Sequence, residues 1–247
     1  MDIWQHRFSV AFKDIDPSDR LTLGAVFEYF QEASINHAEH LGVGRASMAQ
    51  SGQVWILSRI SVVLDRRPQY RETLTLRSWP RGTEKLFALR DYDIRDASDT
   101  PLVRGRSGWL IVDREKLRPL RPYEVVEKLP LNQGFDALPK AMSALSVRDG
   151  LNKVGERRAA YSDIDYNRHV NNTRYIQWIQ DITDPALLEQ ASSMHLDINY
   201  LGEVKGGAIT ELWSAPLKGA EEGSRFAFEG RRQDGPVVFR AELRLVP

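Results

Sequence analysis

The stretch Ser162-Asp163-Ile164-Asp165-Tyr166-Asn167-Arg168-His169-Val170-Asn171-Asn172 packs two carboxylates, one imidazole and three side-chain amides into eleven residues. It runs directly into TRYIQWIQDI, residues 173–182, a helical pattern whose apolar residues Tyr175, Ile176, Ile179 and Ile182 fall at i, i+1, i+4 and i+7. A weaker copy lies earlier. KDIDPSDRLTLGAVFEYFQEA, beginning at Lys13, aligns without a gap to SDIDYNRHVNNTRYIQWIQDI, beginning at Ser162, a shift of 149 positions. In that register Asp14 and Asp16 match Asp163 and Asp165, Phe27 matches Ile176, Phe30 matches Ile179, and Gln31 matches Gln180. The scaffold is therefore duplicated, which sets the fold problem as two units of one design. The chemistry is not duplicated, because Ser18, Arg20, Thr22 and Leu23 stand where the second copy has Asn167, His169, Asn171 and Asn172.

Working outward, residues 24–40 carry Val26, Phe27, Phe30, Ala33 and Ile35 near helical spacing, with Gly42 and Gly44 as stop signals. Alternating or β-branched runs follow at 54–64, 73–79, 86–94 and 102–112, separated by Pro, Gly and Asp clusters, with 8–12 as a strand before the helix. The second half repeats the order, with a helix over 170–183 stopped near Pro185 and runs at 195–200, 209–217, 225–231 and 237–246. A second block supports the repeat: Ile60, Val62, Leu64, Leu76, Ser78 and Pro80 align with Leu196, Ile198, Tyr200, Leu212, Ser214 and Pro216 at a shift of 136. This predicts an α+β chain in which each half buries one long helix on a curved antiparallel sheet, the two sheets joining edge to edge to cover open strand edges. The expected division is 1–125 for the first unit, 126–150 for a surface-packed linker with short helical turns, and 151–247 for the second unit, which carries the chemistry.

Composition narrows the function. Among 247 residues, 34 Lys and Arg balance 34 Asp and Glu, so no global field favours nucleic acid or an anionic membrane. There is no cysteine, which excludes disulfides, thiolate metal sites and a cysteine nucleophile together. No apolar run approaches the ~20 residues of a membrane span and no signal peptide is visible at the amino terminus, so the expectation is a soluble, cytoplasmic protein.

A strand, then D-x-D-x-N-x-H-V-N-N, then a helix, set in a duplicated unit, resembles the acyl-acyl-carrier-protein thioesterases of the plant plastid and bacterial type, which are built from two hotdog domains. The resemblance covers nearly the whole chain. It implies a tandem double hotdog, with the catalytic set falling on Asp165, Asn167 and His169 of DYNRH and on Glu203 of INYLGEVKGG, residues 198–207. Plant members often carry a cysteine beside that glutamate; Val204 stands here, which favours a carboxylate mechanism. The plastid transit segment of plant members does not precede Met1, so a bacterial-type enzyme or a trimmed chain is expected.

The implied activity is hydrolysis of a fatty acyl thioester on acyl carrier protein, with a phosphopantetheine-linked chain as substrate, no metal or organic cofactor, and a homodimer as one compatible assembly. In the preferred scheme Glu203, held with His169, orients and deprotonates water, Asn167 and the helix amides near Val170 to Asn172 fix the carbonyl, and Asp165 fixes the geometry. The rival has Asp165 attack to form an anhydride. An extended segment would point Asp163, Asp165, Asn167 and His169 the same way, with Tyr166 and Arg168 facing elsewhere, and a turn within it would divert Asp163. Plain structural roles stand beside these: Asp163, Asp165, Asn171 and Asn172 as caps and turn formers, His169 as a core histidine, and Asp14, Asp16 and Arg20 as anchors of their helix. Arg66, Arg67, Arg71, Arg114, Lys116, Arg118 and Arg121 could grip an acidic carrier. An acyl-CoA thioesterase and a non-catalytic acyl or carrier-binding module are the alternatives, and a hydratase of related fold ranks last.

Overall fold

The computed structural model describes residues 2–247 except 128, 131, 133, 140, 141, 143, 218–222 and 234. The first helix, α1 (Leu23–His40), forms because Val26, Phe27, Phe30, Ala33 and His37 recur on one buried stripe. Thr22 caps it, its hydroxyl accepting from the Ala25 amide at 3.2 Å. Gly42, at φ 70, closes it, with the Gly42 and Val43 amides returning to Glu39 and Ala38 carbonyls. Around α1 curve β1 (Trp4–Ser9), β2 (Gln53–Leu64), β3 (Thr73–Glu84), β4 (Phe87–Arg95) and β5 (Pro101–Asp113), with the short helix α2 (Arg45–Gln50) between α1 and β2.

After β6 (Arg118–Leu120), paired to β5, and one turn of helix, α3 (Tyr123–Val126), the second unit begins at β7 (Asn152–Arg158). Its helix α4 (Asn172–Asp181) buries Thr173, Tyr175, Ile176, Trp178 and Ile179 against β8 (Ser193–Tyr200), β9 (Ile209–Pro216), β10 (Ser224–Arg232) and β11 (Val237–Val246). The short α5 (Pro185–Gln190) lies between α4 and β8.

Among the described residues the strands form one sheet in the order β1-β3-β4-β5-β2-β8-β11-β10-β9-β7, with β6 beside β5. The two halves join at β2 and β8, antiparallel from Arg59 opposite Asn199 to Leu64 opposite Met194. Each thereby covers the other's open edge. The core runs through the seam, with Val62, Leu64, Leu196 and Ile198 fully buried. The duplicated helix-on-sheet architecture matches the expectation.

Three boundaries differ for physical reasons. The amino-terminal strand ends at Ser9, because the chain then leaves the sheet for a 3-10 turn, Phe12–Asp14, that delivers the Asp14 carbonyl to the Thr22 amide at 2.9 Å. Helix α4 starts at Asn172 and not Val170, since the Val170 and Asn171 amides are already bonded to the Val204 and Asp163 carbonyls at 2.8 Å. Pro185 opens α5 behind the Asp184 cap, where a missing amide costs nothing. The described residues of the connecting segment pack on the outer face of the sheet. Asp136 meets Arg81 and Arg106, the Trp79 indole donates to the Phe135 carbonyl, and the Leu145 amide donates to the Asn199 side chain at 2.8 Å. No described helix is long and apolar enough to cross a membrane.

Candidate active site

The motif before α4 is a tight turn, not an extended strand. The Asp165 amide donates to the His169 carbonyl at 2.9 Å and the Arg168 amide returns to the Asp165 carbonyl at 3.0 Å. Arg168 takes φ 65 to close the turn, and Ile164 bridges to Val170. The expected alignment of four side chains on one face is therefore overturned, because the turn reverses the chain within it. Asp165 is spent on the turn itself: its Oδ1 accepts from the Asn167 amide at 2.8 Å and the His169 amide at 3.4 Å. Asp163 accepts from the Ala160 amide at 2.8 Å and anchors the preceding 3-10 turn, Tyr161–Asp163. Asn171 caps α4, its side-chain oxygen accepting from the Thr173 amide at 3.0 Å and hydroxyl at 3.1 Å.

His169 leaves the turn beside the loop after β8. Its backbone bridges to Lys205, and its Nε2 lies 3.3 Å from a Glu203 carboxylate oxygen. The imidazole is three-quarters buried while Glu203 is exposed, so the pair has one protected member and one open to water. Asn167 sits exposed at the tip of the turn, without a side-chain hydrogen bond among the described residues. The structure thus joins His169 to Glu203, ties Asp165 to the backbone that presents His169, and gives the Asn167 side chain no hydrogen bond to the pair among the described residues.

The helix amides also need correction. Of Val170, Asn171 and Asn172, the first two are engaged, and only the Asn172 N–H has no partner among the described hydrogen bonds. It carries the positive end of the α4 dipole, and Asn172 lines a cleft together with Phe27, Phe30, Gln31, Leu57 and Tyr200. The Tyr200 hydroxyl donates to the Asn172 carbonyl at 3.2 Å and fixes that corner. Tyr175 lies near the pair; burial, then the charges of Glu203 and Asp165, push its phenol well up, so it stays protonated. Trp109, Tyr92 and Ser34, which also line the cleft, belong to a hydrogen-bonded ladder in which the Trp109 indole donates to Ser107, Ser107 bonds Tyr92, Tyr92 bonds Ser34, and Ser34 donates to the Phe30 carbonyl, each at 2.7 Å.

The first half reproduces the turn bond for bond. The Asp16 amide donates to the Arg20 carbonyl, Asp16 Oδ1 accepts from the Ser18 and Arg20 amides, Asp19 takes φ 63, and Ile15 bridges to Leu21. Arg20 bridges to Gln69 as His169 bridges to Lys205, which places Arg67 at the duplicate position of Glu203. Its guanidinium is buried, pairs with Asp16 and donates to the Leu21 and Leu188 carbonyls. Arg67 is therefore no grip for a carrier; it fills the sister entrance. The shift of 136 that aligned the strands also aligns Arg67 with Glu203, so the exchange could have been seen in the sequence. Which amide of Val170 to Asn172 stays free could not, since that depends on the bonds the turn makes, and the cleft residues left no motif.

Comparison with known proteins follows the duplication. The acyl-ACP thioesterase N-terminal domain model matches residues 1–129, and the acyl-ACP thioesterase C-terminal domain model matches residues 150–244. A chloroplastic acyl-[acyl-carrier-protein] hydrolase of Cuphea viscosissima is 25% identical over 266 aligned positions, covering 99% of this chain and 63% of the relative. A chloroplastic palmitoyl-acyl carrier protein thioesterase of Arabidopsis thaliana is 24% identical, covering 96% and 62%. The chain thus spans a little over three-fifths of the length of these relatives. In fold it is similar to a crystallised acyl-ACP thioesterase from Bacteroides thetaiotaomicron, with a TM-score of 0.85 at 24% identity and coverage of 98% and 97%. A 12:0-ACP thioesterase from Umbellularia californica gives 0.84 at 22% identity, with coverage of 99% and 94%. With both domain models matched in order across the chain, the protein belongs to the acyl-ACP thioesterase family.

Proposed function

We propose that the protein hydrolyses the thioester of a fatty acyl chain carried on acyl carrier protein, releasing the free acid and the holo carrier. The observation that carries this reading is the 3.3 Å contact of His169 with Glu203 at the turn that opens α4, on a chain with a mainly apolar cleft lined by Asn172 of the same helix start. Residues 1–125 supply Phe27, Phe30, Leu57 and Ile60 for the hydrocarbon, residues 151–247 supply the reacting groups, and 126–150 connect them.

The exposed Glu203 carboxylate orients a water and takes its proton as the oxygen attacks the carbonyl carbon, with His169 holding the carboxylate and relaying the proton. Charge building on the carbonyl oxygen is met by the Asn172 N–H at the positive end of α4; one such donor is worth about 3 kcal/mol of transition-state stabilisation. Collapse breaks the carbon–sulfur bond and expels a thiolate, a good leaving group near neutral pH. Asp165 holds the turn that presents His169, and Asn167 approaches the substrate from the solvent side. Two backbone amides on the Asp165 carboxylate oppose its use as a nucleophile, which supports direct attack by water. Single-turnover hydrolysis in heavy-oxygen water should leave the Asp165 carboxylate unlabelled, whereas label there would establish the anhydride route.

The carrier is tested by offering one acyl chain on acyl carrier protein and on coenzyme A. The proposal expects much the higher kcat/KM with the protein carrier; equal rates would make this an acyl-CoA thioesterase, and background rates with both would make it a binding module.

A further inference from the structure

The duplication assigns a role to one residue that the motif does not contain. Gln180 of α4 reaches across to α1, where its side-chain oxygen accepts from the Gly24 amide at 2.8 Å. Gly24 is the second residue of α1, so a side-chain oxygen sits against the helix entrance of the first half. The fit is close, since a Cβ on Gly24 would lie 3.0 Å from that oxygen. The first entrance thus holds two side chains, Arg67 at the duplicate position of Glu203 and Gln180 on the Gly24 amide.

The residue aligned with Gln180 is Gln31, on α1. The pseudo-symmetry carries Gln31 to the entrance of α4, and it lines the cleft with Asn172 and Thr173. Here the duplicate of the Gly24 amide, that of Thr173, already has an acceptor in the Asn171 side chain. Gln31 is therefore not needed there, and its side chain has no hydrogen bond among the described residues. A half-buried amide with two free N–H donors thus lines one cleft with Asn172, whose backbone N–H has no partner among the described hydrogen bonds.

Resting on the thioesterase reading above, we propose that Gln31 is a catalytic residue contributed by the first half: its side-chain N–H donates to the thioester oxygen together with the Asn172 backbone N–H. Two donors converging on one oxygen satisfy both of its lone pairs as charge develops there. The same arrangement accounts for the two halves being kept in one chain, because the open entrance is complete only with a residue from the other helix.

The test compares Gln31→Met with Gln180→Met; methionine retains length and helix preference and removes the amide. Gln31→Met is expected to lower kcat about a hundredfold or more, with little change in KM and an unchanged melting temperature, as for loss of one oxyanion donor. Gln180→Met is expected to lower the melting temperature and leave kcat within severalfold. The carbonyl stretch of a bound ketone analogue, with a methylene replacing the thioester sulfur on acyl carrier protein, provides a readout free of turnover. It should shift to lower frequency in the wild type and less in Gln31→Met. If the wild type cleaves no thioester, the functional reading fails while the carbonyl shift still reports on Gln31. An unchanged kcat and carbonyl shift in Gln31→Met overturn the proposal, as does an increase in kcat, which would make Gln31 a plug that substrate must displace.

Discussion

At one pair of duplicated positions the chain holds opposite charges, Glu203 in the open entrance and Arg67 in the closed one. Glu203 is exposed and lies within reach of His169; Arg67 is buried, paired with Asp16, and bonded across the seam to the Leu188 carbonyl. Removing one member of a buried pair leaves the other charge uncompensated. Arg67→Met should therefore destabilise the protein by about 3 kcal/mol in urea titration with kcat on surviving enzyme preserved, the opposite pattern to Glu203→Gln. Asp165 is a positioning residue on this account. Asp165→Asn keeps an oxygen for the Asn167 and His169 amides and should retain most of the rate, while Asp165→Ala should lose rate and turn geometry together; equal losses in the two variants would point to chemistry at the carboxylate. The sequence made Asp165, His169 and Glu203 legible because their residue types and spacing are unusual. It left their division of labour unread, since a carboxylate spent on backbone amides and one held to an imidazole look alike in a string.

At the scale of elements, each helix entrance is one turn, one cap and one strand end working together. The helices and strands were legible because apolar spacing switches clearly between a period near 3.6 and alternation. The start of α4 was misjudged by two residues because hydrogen bonds to Val204 and Asp163 consume the amides that would have begun it. This difference matters for function, since it narrows the free donors expected over Val170 to Asn172 to the Asn172 amide. Asn171→Ala, which removes the α4 cap, should cost about 1 kcal/mol of stability and misplace the Asn172 amide, lowering kcat more than KM. The part of the cleft lined by Ser34, Tyr92 and Trp109 belongs to a different set of elements. Its ladder uses every donor internally when Trp109 donates to Ser107, Ser107 to Tyr92, Tyr92 to Ser34 and Ser34 to the Phe30 carbonyl, so it presents a saturated end to the hydrocarbon. Tyr92→Ala should move the preferred acyl length upward across a panel of carriers, with discrimination of about tenfold or more per methylene now admitted; an unchanged length profile would place the acyl chain elsewhere.

For the whole molecule, the seam of β2 with β8 and the reach of Arg67, Gln180 and Gln177 between halves make one folding unit of two copies. The duplication was legible, and with it the joined sheet; the docking points of the connecting segment were not, because its described residues pack on the sheet through isolated polar contacts that leave no periodic trace. One buried group should give stability a pH signature. His37 on α1 is fully enclosed with its Nδ1 2.9 Å from Arg90, with Asp2 3.4 Å from Nε2 and His40 nearby; burial, then the Arg90 charge, lower its pKa to about 4 despite the pull of Asp2. The unfolded chain therefore binds a proton that the folded one refuses, so stability falls as pH drops from about 6.5 toward about 4 and this contribution levels off below. Denaturant titrations across that window should show a shallower fall for His37→Gln than for the wild type. The central claim, that one entrance of a doubled fold works while its sister only holds the structure, is tested most directly by matched changes at duplicated positions. Single-turnover hydrolysis of acyl carrier substrate should fall about a hundredfold or more in His169→Ala and stay within severalfold of wild type in Arg20→Ala, both still folded. Equal losses in the two variants, or an undiminished rate in His169→Ala, would contradict it.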